Sequence, residues 1–147
     1  MTVRKIINQN GGKIWTINRS ASVLDALEKM AFRGIGALPV VDQQKQLVGI
    51  FSERDYARKS INLNKNPKDL SIESMMTPKV ITVDIKDSLF DCMKIMTDKH
   101  IRHLPVQENN SLVGMITMRD VVREIISDQK GTISELTAYI HGSYVGR

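Results

Sequence analysis

The chain has a single cysteine, Cys92, among its 147 residues and so cannot close a disulfide on itself. That absence points to a reducing compartment and excludes a small stapled secreted fold. Aromatic residues are scarce: one Trp, three Tyr and three Phe. No block of five or more basic residues occurs. Modules that grip nucleic acid concentrate charge on one element or interleave it with stacking rings, and this composition argues against one. The longest apolar runs, such as residues 37–41, fall far short of the roughly 20 residues that cross a bilayer. Arg4 and Lys5 are followed by no apolar stretch of the kind a secretory leader carries. The expectation is a cytoplasmic protein with no membrane attachment. The charge present leans basic, 21 Lys and Arg against 16 Asp and Glu, for a net +5. That is a mild bias towards an anionic partner.

What the sequence does contain is itself, written twice. A shift of 66 residues lays Thr16, Ser22, Asp25, Met30, Ile35, Leu38, Pro39 and Val40 on Thr82, Ser88, Asp91, Met96, Ile101, Leu104, Pro105 and Val106. After a one-residue deletion the offset is 65. Leu47, Val48, Gly49, Arg54, Asp55 and Arg58 then match Leu112, Val113, Gly114, Arg119, Asp120 and Arg123. A unit of about 60 residues buries only around 60% of its unfolded-chain surface. The two units are therefore expected to pack on each other about a pseudo-two-fold axis. A site between them would exist in two related versions.

Each unit reads as strand, helix, strand, strand, helix, giving a mixed α/β fold of two β-α-β-β-α repeats. In the first (residues 14–59) a β-rich run covers 14–17. Ser22 and Asp25 then start a helix with Val23, Leu27, Met30 and Ala31 at helical spacing. Gly34 stops that helix. Strands follow at 38–41 and 47–51, with a polar hairpin loop at 42–46 between them. Ser52 opens a second helix. In the second repeat (residues 80–127) the strands fall at 80–83, 104–106 and 112–116. Ser88 and Asp91 start the first helix, Asn109-Asn110 make the turn, and Thr117 opens the last helix. Cys92 lies among Phe90, Met93 and Met96 as a small buried hydrophobe. Around the repeats, residues 1–13 read as a polar lead ending in the Asn10-Gly11-Gly12 turn. Residues 60–79 read as a linker, and 128–147 as a tail. A short helix is predicted in the tail at 134–140, with Ile133, Leu136 and Ile140 on one face that docks on the body or a partner. Residues 142–147 are expected to fray.

The chemistry-bearing unit is a strand ending in a hydroxyl, followed by Arg-Asp in the first turn of a helix. It occurs as Ser52-Glu53-Arg54-Asp55 and as Thr117-Met118-Arg119-Asp120. Ser/Thr-x-x-Asp is a helix cap. The same geometry also presents helix N–H groups to an anion, a carboxylate to a diol and a guanidinium to a phosphate. Capping does not require the Arg that precedes Asp in both copies. Each copy also carries Ile-x-x-Leu-Pro-Val ahead of its hairpin. Proline has no N–H and belongs at a sheet edge or bulge, which leaves neighbouring backbone groups open. His100 and His103 lack a third ligand nearby, and no metal site is expected. Trp15 is read as a core residue. No activated nucleophile or glycine-rich phosphate loop is present, so no catalysis is expected.

Taken together, tandem Ile-x-x-Leu-Pro-Val, Leu-Val-Gly-h-h-[Ser/Thr]-x-Arg-Asp (h, hydrophobic) and the Met-Thr-Pro lead-in at 76–78 closely resemble a CBS-domain pair, or Bateman module, over residues 14–127. The first copy departs by having Gly12-Lys13-Ile14-Trp15 in place of Met-Thr-Pro. The resemblance implies a regulatory module that binds an adenine nucleotide (AMP, ADP, ATP or NAD) between the copies. By it, Asp55 and Asp120 hold ribose diols, with Ser52 and Thr117 beside ribose and phosphate. Thr16-Ile17 and Thr82-Val83 line the adenine slots. The backbone at Ala37-Leu38, before Pro39, and at His103-Leu104, before Pro105, reads the base. Basic residues two and three before the proline meet phosphate. They are Arg102 and His103, next to Ile101, in copy two, where copy one has Gly36 and Ala37. The two sites should therefore be unequal, with Arg54, Arg58, Arg119 and Arg123 adding charge. A homodimer, and an unknown protein target in trans, complete the expectation. The competing reading is a scaffold or dimerisation module with a vestigial nucleotide site.

Overall fold

The structure is a computed structural model and describes residues 1–61 and 63–145. Its elements run α1 (Val3–Gln9), β1 (Ile17–Asn18), α2 (Val23–Arg33), β2 (Ala37–Val41), β3 (Leu47–Ser52), α3 (Glu53–Lys59), a 3-10 turn (Pro67–Asp69), α4 (Ile72–Met75), β4 (Val83–Asp84), α5 (Leu89–Lys99), β5 (His103–Glu108), β6 (Ser111–Thr117) and α6 (Met118–Val145). Two three-stranded sheets result, in the orders β1-β2-β3 and β4-β5-β6. In each, the first strand pairs parallel and the hairpin antiparallel. This is the mixed α/β architecture of two similar repeats that the internal duplication implies.

Local chemistry explains the elements. Ser22 Oγ accepts the Asp25 N–H at 3.0 Å and Asp25 answers the Ser22 N–H, closing a capping box at the start of α2. At its end Gly34 takes a left-handed φ of 65°. The equivalent stop after α5 is His100, at φ 55°. A side chain thus stands where the first repeat has only hydrogen, in a conformation His tolerates better than most residues. Asn109 and Asn110, both at positive φ, turn the β5–β6 hairpin.

Each repeat has its own core. Val23, Ala26, Met30, Leu38, Val40 and Phe51 fill the first, while Val83, Leu89, Cys92, Met96, Leu104, Val106, Ile116 and Val121 fill the second. Burial pushes the Cys92 thiol up to about 11, so it packs as a hydrophobe and not as a nucleophile.

Three segments differ from expectation. Residues 1–13 are not a polar lead: α1 buries Val3, Ile6 and Ile7. They sit in the core of the second repeat, and Lys5 pairs there with the buried Glu124 of α6. The linker folds too. Leu70, Ile72 and Met75 are buried in the core of the first repeat. The two segments are counterparts. Thr2 and Ser71 stand at the N-caps of α1 and α4, and bridge to Ser88 and Ser22 respectively. Ile7 lies over Gly114 and Met76 over Gly49, each where a Cβ would collide, at 2.6 Å and 2.5 Å. Each repeat thus sends its leading helix to cover the other's sheet. The tail holds no separate short helix, because α6 runs unbroken through it. The fraying expected over 142–147 meets helix as far as Val145, and 146–147 lie outside the described residues.

Candidate functional site

Two clefts lie between the repeats, of about 540 Å³ and 440 Å³. Both fall in the range of small-ligand pockets. Their walls obey the internal repeat. Ser52, Arg54, Asp55 and Arg58 line the first, and Thr117, Arg119, Asp120 and Arg123 the second. Facing them are Lys79, Val80, Ile81, His100, Ile101 and Arg102 in the first cleft. Lys13, Ile14, Trp15, Gly34, Ile35 and Gly36 hold the matching places in the second. The motif of one repeat therefore always faces the pre-proline segment of the other.

Helix geometry sets the motif residues. The Ser52 hydroxyl accepts the Asp55 N–H at 3.0 Å, and the Thr117 hydroxyl accepts the Asp120 N–H at 3.1 Å. The first N–H of each helix donates to the strand opposite, Glu53 to the Gly36 carbonyl at 3.0 Å and Met118 to the Arg102 carbonyl at 2.8 Å. That ties each helix start to the start of a central strand. The copies differ at the carboxylates. Asp120 accepts a return bond from the Thr117 N–H at 2.9 Å, whereas among the described residues Asp55 makes no such bond. Asp55 and Asp120 are both half-buried at the cleft walls.

The prolines sit in central strands, beyond the reach of their short parallel neighbours. β1 meets β2 only at Val40 and Val41, and β4 meets β5 only at Val106 and Gln107. Residues 37–39 and 103–105 thus have a strand on one side only. Ala37, Leu38 and Leu104 are fully buried, backbone included, and line neither cleft. Pro105 lines the first cleft, while Pro39 lines neither.

Thr16, Ile17, Thr82 and Val83 line neither cleft. Ile17 packs against the first core and Val83 is buried in the second. Thr82 contacts Gln107 at 3.4 Å, and the Thr16 carbonyl accepts the Lys29 ammonium. Ile14-Trp15 and Val80-Ile81 form the walls instead. The 66-residue shift pairs Ile14 with Val80 and Trp15 with Ile81, each two residues before the pairs that the family resemblance implied. Trp15 packs against the first core and also lines the second cleft, with the Arg33 guanidinium 3.6 Å from its ring centroid. Lys79, Lys99 and His100 are further wall residues of the first cleft.

Cations divide unevenly. Arg54, Arg58, Lys79, Lys99 and Arg102 line the first cleft, but only Lys13, Arg119 and Arg123 line the second. His103 and Gly36 belong to both. A Cβ on Gly36 would lie 3.9 Å from the His103 ring, so the imidazole stands where the repeats meet. Burial lowers the His103 pKa below the ordinary 6.5, and Arg102 pushes the same way against Asp120 and Glu53.

Residues 3–62 and 72–127 both match the family model of the CBS domain. The chain belongs to the CBS-domain family. The first match begins at α1, which the sequence reading had left outside the repeat. CBS pairs are regulatory modules, and among curated relatives this one is similar to the CBS domain-containing protein CBSX3, mitochondrial, of Arabidopsis thaliana. The identity is 36% over 139 residues, covering 92% of this chain and 67% of that protein. An uncharacterized protein of Methanopyrus kandleri is 36% identical over 96 residues, and the match spans about half (49%) of its length. Among solved structures, a putative signal-transduction protein with CBS domains from Burkholderia ambifaria superposes with a TM-score of 0.82 at 39% identity. The alignment covers 88% of this chain and 96% of that one. CBSX2, solved in complex with AMP, superposes with a TM-score of 0.73 at 26% identity, over 86% of this chain and 97% of that one. No helix among the described residues is long and apolar enough to cross a membrane. No group of three His, Cys, Asp or Glu gathers there at metal-binding distance either.

Proposed function

We propose that this CBS pair is a cytoplasmic, non-catalytic sensor that binds an adenine nucleotide (AMP, ADP, ATP or NAD) in its two clefts. It passes occupancy on through a homodimer or a protein partner in trans. The observation that carries this reading is the composite build of each cleft. A ligand held at once by the Asp-bearing helix start of one repeat and the pre-proline strand of the other adds contacts between repeats. It therefore favours one relative placement of them, by as much as its affinity for the two placements differs. The parts suit a nucleotide. Asp55 or Asp120 accepts the ribose hydroxyls, the pre-proline segments at 34–36 and 101–103 meet the base, and the arginines meet phosphate. The complex of CBSX2 with AMP supports the ligand class.

A thermal-shift panel with AMP, ADP, ATP, NAD, S-adenosylmethionine and a GTP control tests it, on protein first dialysed free of carried-over nucleotide. A ligand at 100 times its dissociation constant stabilises by about 2.7 kcal/mol, several degrees for a chain of this size at about 2–4 °C per kcal/mol. Shifts with adenine nucleotides but not with GTP are expected. No shift with any of them would favour the scaffold reading.

A further inference from the structure

From Ile126 onward, α6 leaves the body, and every residue in it whose side chain is described is exposed. An unpacked helical stretch of this length is marginal in water, so its sequence should show what buries it. Val122, Ile126, Ile133, Leu136 and Ile140 are 37% to 64% exposed. Ile126, Ile133 and Ile140 recur at a strict interval of seven. Val122 and Leu136 take the second position of the same heptad, with Gln129 between them. At about 100° per residue these positions share a stripe about 80° wide. That is the narrow seam of a coiled coil, since a face meant for a globular surface is broader. The seam lies roughly a quarter-turn from the buried Val121, Glu124 and Ile125, so the body does not cover it.

The residues around the seam fit. Gly131 falls on the outermost position, with nothing within 4 Å of an added Cβ. Asp128 and Glu135 lie off the seam. Lys130, which flanks it, has no like charge at the position opposite it in a parallel pair, which is that of Ile125. β-Branched residues at the first core position, as at Ile126, Ile133 and Ile140, with Leu at the second, as at Leu136, favour two parallel strands. A strict seven-residue repeat complements a helix with the same repeat, and a two-fold pair of this chain supplies one.

We propose that α6 pairs, parallel and in register, with α6 of a second copy of this chain along Val122, Ile126, Ile133, Leu136 and Ile140. None of these five residues lines a nucleotide cleft. Because Cys92 is buried, a new surface thiol can be read without background. In the full chain, Ile133→Cys should cross-link to its own copy under mild oxidation, whereas Ser134→Cys, one residue off the seam, should remain uncross-linked. By sedimentation, Ile133→Asp should raise the dimer dissociation constant at least about tenfold, some 1.4 kcal/mol, with an unchanged melting temperature for the body. Cross-linking no greater for Ile133→Cys than for Ser134→Cys would overturn the proposal. So would a dimer as tight in Ile133→Asp as in the wild type, or a wild-type chain that is monomeric.

Discussion

The two clefts follow one plan and differ mainly at three places. Where the second has Gly34, Gly36 and a carboxylate already engaged by the Thr117 N–H, the first has His100, Arg102 and a carboxylate without that bond. The backbone that frames each cleft is common to both, and the side chains that meet charge are not. Duplication preserved the frame, because caps and strand pairing hold the fold together, and left the cationic side chains of the clefts free to diverge. On this comparison the first cleft suits the more highly charged ligand and the second a ligand held chiefly by base and ribose.

The sharpest way to break that contrast is at the carboxylates. Asp55→Ala should weaken nucleotide binding at the first cleft by about 1.5–3 kcal/mol per lost charge-assisted bond, read by calorimetry, with little change in melting temperature. The Ser52 cap accepts a backbone N–H that alanine keeps. Asp120→Ala should weaken the second cleft and in addition cost about 1 kcal/mol of fold stability, since its carboxylate also caps α6. Equal melting temperatures for the two variants would erase the distinction.

A smaller effect tests the phosphate end. Arg102→Gln should lower affinity for AMP and ATP, but not adenosine, at the first cleft, isolated in an Asp120→Ala background. Gly36→Arg should do the reverse for the second, isolated in Asp55→Ala. The nearest atoms to a Cβ at Gly36 are 3.9 Å away, so the side chain has room to start. Changes of about 1 kcal/mol are expected, the size of one ordinary hydrogen bond or a little more. Adenosine and AMP responding alike would remove phosphate from the account.

The smallest effect is the pH dependence of the shared imidazole. Burial lowers the His103 pKa. The free protein therefore loses stability as pH falls through the ordinary histidine range, where the unfolded chain binds that proton more tightly. A phosphate beside the ring acts the other way and raises the pKa, so AMP binding takes up a proton. The ratio of AMP affinity between wild-type and His103→Gln protein should grow a few-fold as pH drops from about 8 to about 6. Taking the ratio cancels the titration of AMP itself. A flat ratio would detach His103 from the phosphate.

Much of this was readable from sequence, for reasons that differ by residue. Ser52-x-x-Asp55 and Thr117-x-x-Asp120 are local: a cap and its helix lie within four residues, and the repeat supplied the second instance. The Arg102–Gly36 asymmetry was equally plain once the copies were aligned. The lead helix was not. Val3, Ile6 and Ile7 make barely one helical turn of pattern, Thr2 makes no side-chain cap bond, and what buries them lies some eighty residues on. The cleft walls at 14–15 and 80–81 lie two residues before the pairs implied by the family resemblance, and where a strand begins to pair with its neighbour is not written in its own residues. The pairing starts only at Ile17 and Val83.

The exchange of leading helices has a consequence for the order of assembly. The first sheet receives its cover from α4 soon after β3 is made, across a short stretch of chain. α1 is synthesised before every other element, yet its binding surface is complete only when β6 and α6 exist. Val3 donates to the Asp87 carbonyl and Arg4 to that of Ile85, closures more than eighty residues long. Long closures form slowly, and loop entropy is spent before contact repays it. The second half should therefore be the last to become native. On the ribosome, α1 should wait unpaired with its three apolar residues in water until the second repeat is made, open to a chaperone meanwhile.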